Sequence, residues 1–246
     1  MLPEKTWKTE PALRLLLGVF GTMCFGILIA GLVVKLNPGW PDAKTKLLSM
    51  VIITISFHGA ALLWIQSFLK GENISWKSAF GFNLQNQSRA IALGLIAAVV
   101  VLPVAWGLQQ LSAWAMTSAN FHPEPQQVVQ EMQKSGVSPF QQAYIALIAM
   151  IAAPLVEEML FRGILYPTIK QAGFPKLALW GNSILFALTH QNIPAFLPLV
   201  FFAMILTLLY EETGNLLAPI VAHSCFNAAN FVMLLFAEHL RIFNLP

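Results

Sequence analysis

Three short patterns in this chain of 246 residues carry side chains able to do chemistry. Glu157 and Glu158 are adjacent, with Arg162 following; His190 ends the stretch Phe186-Ala-Leu-Thr-His190; His223 and Asn227 stand four apart. Glu158 and Arg162 are i,i+4, so they share a helix face and can form an ion pair, and the planar guanidinium suits a carboxylate held in low dielectric. Glu157 lies one step, about 100°, around the same helix and points elsewhere. One carboxylate is thus neutralised and the other left free, which suits the free one to take a proton from water as a general base. His223 and Asn227 share a face, and a neutral imidazole and an amide can both donate hydrogen bonds to a developing oxyanion. His190 could position or polarise a water with Glu157. Taken singly, each histidine is as well explained as a hydrogen-bonded packing residue. The competing bland account of the glutamates is a buried pair plus one protonated Glu that only locks helices together.

The elements that must hold these residues follow from composition. The chain is 57% hydrophobic and 10% charged, with mean hydropathy +0.67, against about 25% charged for a soluble domain. Disorder is excluded by the same numbers. What remains is an all-α, polytopic membrane helix bundle of about seven transmembrane helices. The apolar runs cover roughly 15–34, 47–69, 90–111, 144–168, 177–191, 195–210 and 216–237. Lys5, Lys8 and Arg14 before the first run resemble a signal peptide's start, but a run of about 20 residues exceeds a signal core and reads as a retained span. Lys70–Arg89, with Trp76, Phe80 and Phe82, reads as an interfacial segment. Pro125–Ser135 reads as a short helix, a lid or more simply a surface loop with one amphipathic turn. No internal repeat is evident.

The formal net charge of +3 comes from Lys and Arg flanking the apolar runs, which suits membrane orientation rather than nucleic acid. Eight basic residues flank one side and five the other if the N-terminus is inside, favouring that orientation modestly. Cys24 and Cys225 fall inside apolar runs and exclude a disulfide framework. Asn73-Ile-Ser75 and Asn86-Gln-Ser88 match the glycosylation pattern, for which a chance match is the better reading.

Ionisable residues inside apolar runs are few: His58, Glu157, Glu158, Arg162, His190 and His223. Each charge costs roughly 2.5–3.5 kcal/mol at a helix centre, so the three in the fourth run must face the bundle interior. His58 lacks a neighbouring partner and reads as packing; His122 and His239 lie in flanks and take no role. Measured from the side carrying loops 163–176 and 211–215, Glu157 lies about 16 Å deep, His190 about 20 Å, and His223 and Asn227 about 10 and 16 Å. All four fall in the middle of a core about 30 Å thick and could converge on one cavity.

At these residues the sequence closely resembles the CPBP intramembrane protease family, which includes the type II CAAX prenyl endopeptidases and Abi-type bacteriocin-processing and immunity proteins. The family's Glu-Glu-x-x-x-Arg stands as Glu157-Glu158-Met-Leu-Phe-Arg162, its Phe-x-x-x-His as Phe186-Ala-Leu-Thr-His190, and its His-x-x-x-Asn as His223-Ser-Cys-Phe-Asn227. Tyr210-Glu-Glu-Thr-Gly-Asn-Leu-Leu-Ala-Pro219 also looks like the family's approach to the last motif. The resemblance divides the chain into variable N-terminal helices and a polar connector over 1–139, protease-type core helices over 140–237 and a short tail over 238–246. It implies that Glu157 and His190 activate a water, that His223 and Asn227 stabilise the oxyanion, and that Glu158 and Arg162 support the site.

Glu157, His190 and His223 could equally supply a three-ligand zinc site with an open position. The metal-free form is favoured, because a zinc-bound Glu157 would leave only Glu158, already paired to Arg162, as base. The implied partners are the bilayer and a membrane-embedded or lipid-modified peptide substrate, with no nucleic acid. Two other classes use the same residues. One is an ion-coupled transporter, which would require broken helices and charges through both leaflets. The other is a non-enzymatic immunity or scaffold protein.

Overall fold

The fold was described from a computed structural model over residues 7–82, 86–121, 130 and 138–242. The expected helix at Pro125–Ser135 falls outside these residues apart from Gln130. Among the described residues there is no strand. Lipid offers backbone groups no partners, so each apolar run must satisfy its own N–H and C=O groups and become a helix. All seven runs do: α1 (Thr9–Leu36), α2 (Lys44–Gly71), α4 (Gln87–Ser118), α5 (Pro139–Gln171), α6 (Pro175–Thr189), α7 (Ile193–Thr213) and α8 (Leu217–Ile242). A short helix, α3 (Trp76–Phe80), lies between α2 and α4 where the interfacial segment was expected.

Six of these helices, all but α3 and α6, are long and apolar enough to cross a bilayer. The chain is a multi-pass membrane protein. Its lateral surface fits that solvent: Leu28, Leu63 and Val99 are 70% exposed or more, a loss in water but not in lipid. The 15 residues of α6 extend only about 22 Å, short of a core of about 30 Å.

The helices start where side chains replace missing backbone partners. Ser138 and Gln141 form a reciprocal capping box at the start of α5. The Asn192 side chain accepts from the Ala195 N–H to open α7, with Pro194 in its first turn. Helix α7 stops at Gly214, φ +60°.

Helix α1 packs on α2, α4 packs on both α7 and α8, and α6 pairs antiparallel with α7. The short α3 docks deep. Ala79 and Phe80 are buried, and the Phe80 carbonyl accepts from the Leu216 N–H at 2.9 Å. Gly81 closes α3 at φ +67°, pressed against the Gly214 carbonyl so closely that a Cβ would not fit. Phe80 also fills the space over Gly163, where an added Cβ would lie 2.6 Å from its ring.

The prolines do not break the helices. Pro103, Pro154 and Pro198 all lie within continuous helical backbone. In α5 the ladder instead widens into two π-helical turns, Ile148–Ala152 and Met159–Leu165, flanking the α-helical segment Ala153–Glu158. A third lies in α2 at Ile55–Gly59.

If α6 crosses with the other six, a reporter fused after Pro246 will be extracytoplasmic when the N-terminus is cytoplasmic. A cytoplasmic reporter at that end would mean that α6 enters and returns on one side.

Candidate active site

The site forms where α5, α6, α7 and α8 meet. Residues Ala153–Glu158 carry the two glutamates on adjacent faces of α5, as spacing requires. Glu158 turns wholly inward and is 0% exposed, as is Arg162. Its Oε1 accepts from Arg162 Nη1 at 2.9 Å, the expected i,i+4 pair. The same oxygen meets His223 Nδ1 of α8 at 2.8 Å, across 65 residues of sequence. A carboxylate paired to a guanidinium can only accept, so Nδ1 carries the hydrogen and Nε2 is the free edge of the imidazole. That edge faces Glu157, with Nε2 3.9 Å from Oε2. Glu157 is not bonded to Arg162; its Oε2 is buried and has no hydrogen-bond partner.

Arg162 ties the cluster to the next layer. Nη2 donates to the Ala203 carbonyl of α7 at 3.0 Å, and the guanidinium stacks over the Phe186 ring of α6 at 4.6 Å. Phe186 is the common floor of the site. His190 and His223 both lie against it, with ring centroids 4.8 and 5.7 Å from its own. The two imidazoles are therefore no farther apart than the sum of those distances. Phe202 meets the other side of His223 at 5.4 Å, nearly perpendicular.

His190 does not sit within a helix. Helix α6 ends at Thr189, and His190 is its C-terminal cap. Its Nδ1 lies 2.9 Å from the Phe186 carbonyl, so Nδ1 donates and Nε2 is again the free edge. Gln191, immediately after it, adopts φ +48°, a left-handed conformation unusual for a residue with a side chain. No direct contact joins His190 to Glu157.

Asn227 reaches the site by a different bond. Its Nδ2 donates to the Ala149 carbonyl at 2.8 Å, in the first π turn of α5. That carbonyl lacks a backbone donor for a local reason. Ala153 N–H bonds Ile148 in the wide register, and the next donor in that register would be Pro154, which has no N–H. One amide hydrogen of Asn227 is used here, and the other is available.

The structure thus brings Glu157, Glu158, Arg162 and His223 into direct proximity. It sets His190 beside them on Phe186 and joins Asn227 to the same two helices. The link from Glu158 to His223 was not foreseen, since i,i+4 spacing shows contacts within a helix only. Matched depth was the one signal that could have suggested it. His58, expected as packing, lies in the π turn of α2 against Phe57, at 4.8 Å between ring centroids.

A zinc reading requires Glu157, His190 and His223 about one centre at roughly 2.0–2.2 Å. Among the described residues, no three His, Cys, Asp or Glu side chains are gathered in this way. The side chains as placed do not form that ligand set.

Residues 139–229 match the family model of the Rce1-like type II CAAX prenyl endopeptidases, bearing out the resemblance read from the three motifs. The match contains all seven residues of the three motifs. A curated relative, the uncharacterized protein YpbD of Bacillus subtilis (strain 168), is 33% identical over 102 residues, covering 40% of this chain and 49% of that protein. The chain therefore matches about half the length of that relative. No solved structure matches.

Removing one partner of a buried ion pair costs roughly 3–5 kcal/mol, and removing both costs far less. Glu158→Gln strands Arg162 and should destabilise the protein by about that amount. Adding Arg162→Met should recover part of the loss. Thermal unfolding in detergent of the single and double variants measures both, and equal stability of Glu158→Gln and wild type would refute the pairing.

Proposed function

We propose that this chain is an intramembrane endopeptidase that hydrolyses a peptide bond near the membrane with a water activated by Glu157 and His190. The observation that carries this reading is the division of labour between adjacent carboxylates. Oε1 of Glu158 is committed to Arg162 and His223, whereas Glu157 is bonded to neither and sets its buried, unpartnered Oε2 towards the His223 imidazole. A purely structural ion pair needs one carboxylate, and burying a second without a partner costs stability that packing alone does not return. The family matched over 139–229 is a protease family, which supports the same reading.

In this mechanism Glu157 accepts a proton from the water, and His190 holds that water through its free Nε2. The water oxygen bonds to the peptide carbonyl carbon. Negative charge moves onto the carbonyl oxygen, which accepts from His223 and from the unused amide hydrogen of Asn227. For His223 to donate here, Nε2 must carry a hydrogen in addition to the one that Nδ1 directs at Glu158. The C–N bond then breaks, and the proton held by Glu157 passes to the leaving amine. Glu158 and Arg162 hold the oxyanion donor in place. No metal is needed for these steps. The substrate is a membrane-embedded or lipid-modified peptide.

The transporter alternative calls for discontinuous helices, and the continuous backbone through Pro154 and Pro198 does not favour it.

Purified protein should cleave members of a membrane-peptide library, with the same turnover in chelator. Glu157→Gln is nearly isosteric and retains hydrogen bonding, so it should fold normally yet lose at least about 100-fold in turnover, the lower range of general-base catalysis. Turnover above about a hundredth of wild type would mean that Glu157 is not the base. Loss of activity in chelator would instead point to a metal.

A further inference from the structure

One helical turn from Phe186, on the same helix, lies a buried amide that the mechanism does not use. Asn182 of α6 is 0% exposed, and both its Oδ1 and Nδ2 are buried without a hydrogen-bond partner. A buried amide so placed costs free energy unless something meets it. Its position follows from the packing. Asn182 is one turn before Phe186, so both point from the same face of α6. Phe186 carries the Arg162 guanidinium, and it packs with Ala195, Leu199 and Ala203 of α7. Because α6 and α7 are antiparallel, the turn before Phe186 lies alongside the residues that follow Leu199. Asn182 is therefore one turn along α6 from the ring that carries Arg162, whose Nη2 donates to the Ala203 carbonyl.

Three groups here are buried without a hydrogen-bond partner: Arg162 Nε, the Asn182 amide and Glu158 Oε2. Arg162 donates through Nη1 and Nη2, but its Nε is buried and unpartnered. The Ala203 carbonyl, which Arg162 reaches, also receives the Thr207 hydroxyl, at 2.9 Å. Both its lone pairs are taken, leaving no room for the Asn182 amide. Ser183, adjacent and also fully buried, is likewise occupied with its own helix at Leu179. What Arg162 Nε needs is an acceptor, and what Asn182 needs is both a donor and an acceptor. A single water supplies all three.

We infer that Asn182 is a positioning residue that holds an internal water against Arg162 Nε, and through Arg162 fixes the Glu158 carboxylate that orients His223. The chain from amide to site runs Asn182, water, Arg162, Glu158, His223. Without the water Arg162 can pivot about its bonds to Glu158 and Ala203; with it, all three guanidinium nitrogens are anchored. Asn182 touches neither substrate nor the reacting water.

The catalytic consequence rests on the endopeptidase reading, whereas the water site itself does not. The test is therefore a stability cycle read beside turnover. Asn182→Leu keeps the volume and removes the polar atoms. If Asn182 were only a poorly satisfied core residue, Leu would raise the melting temperature, or leave it unchanged, and would leave turnover unchanged. The expected result is a lower melting temperature in the otherwise native protein and no such loss in the Arg162→Met background, where Nε is gone. Equal shifts in both backgrounds would overturn the inference, even for a protein that cleaves nothing.

Where cleavage is measurable, Asn182→Leu should lower kcat by about 10-fold or more with KM nearly unchanged, as loss of orientation does. An unchanged kcat would overturn the positioning role. Should the Leu variant fail to accumulate, Asn182→Asp decides. It can accept from the same water beside the guanidinium and should fold with a melting temperature near wild type; failure of the Asp variant to fold would overturn the proposal.

Discussion

The interior of this protein is organised by one carboxylate oxygen. Oε1 of Glu158 takes a hydrogen bond from Arg162 on its own helix and another from His223 on α8, with all three side chains essentially sealed from solvent. In such an environment any member left alone would be several kcal/mol out of balance. The three are therefore interdependent, and so are the helices they come from. Arg162 extends the network to the α7 backbone at Ala203 and to the α6 ring of Phe186. Four helices that share little but apolar contact thereby acquire a specific register. Hydrophobic burial cannot supply that in lipid, where a leucine is equally content facing tails or neighbours.

Residues outside the segment that matches the protease family also reach this network. Trp7 is buried and donates from Nε1 to the Gly163 carbonyl at 3.0 Å, one residue after Arg162. Phe80 occupies the space above the same glycine, and its carbonyl receives the start of α8. The first third of the chain is thus more than a set of anchoring spans. It packs on the second π turn of α5 and on the α7–α8 corner, the two places from which Arg162 and His223 set out.

How much of this was legible depended on the range of each interaction. The seven apolar runs correspond to seven helices because the bilayer leaves the backbone no alternative. Their ends were less legible: α4 continues to Ser118, several residues beyond its apolar run, because polar side chains near the interface do not halt a helix. The Glu158–Arg162 pair could be read from i,i+4 spacing. The bond from Glu158 to His223 could not, since it depends on how α5 and α8 are rotated against each other. Hydropathy placed His190 inside the apolar run 177–191, next to its end. It caps α6 instead, because Gln191 takes a left-handed conformation and Asn192 begins the next helix. The π turns left no hydropathy signal at all, as they change the register of the ladder and not the polarity of the residues.

Those π turns explain how two adjacent glutamates can be held to different tasks. The segment Ala153–Glu158 is α-helical between a π turn on each side, and a proline comes soon after each turn, at Pro154 and Pro167. Each proline withholds an N–H from the preceding turn. The carbonyls of Ala149 and Gly163 instead accept from side chains far away in sequence, Asn227 and Trp7. A π turn rotates the next stretch of helix by a residue's worth, so an unanchored one could let the glutamates swing. Here both turns are pinned from outside. The rotation of the segment between them is therefore set by partners on α8 and just before α1, and that rotation decides which carboxylate faces Arg162 and which is left facing the free edge of His223.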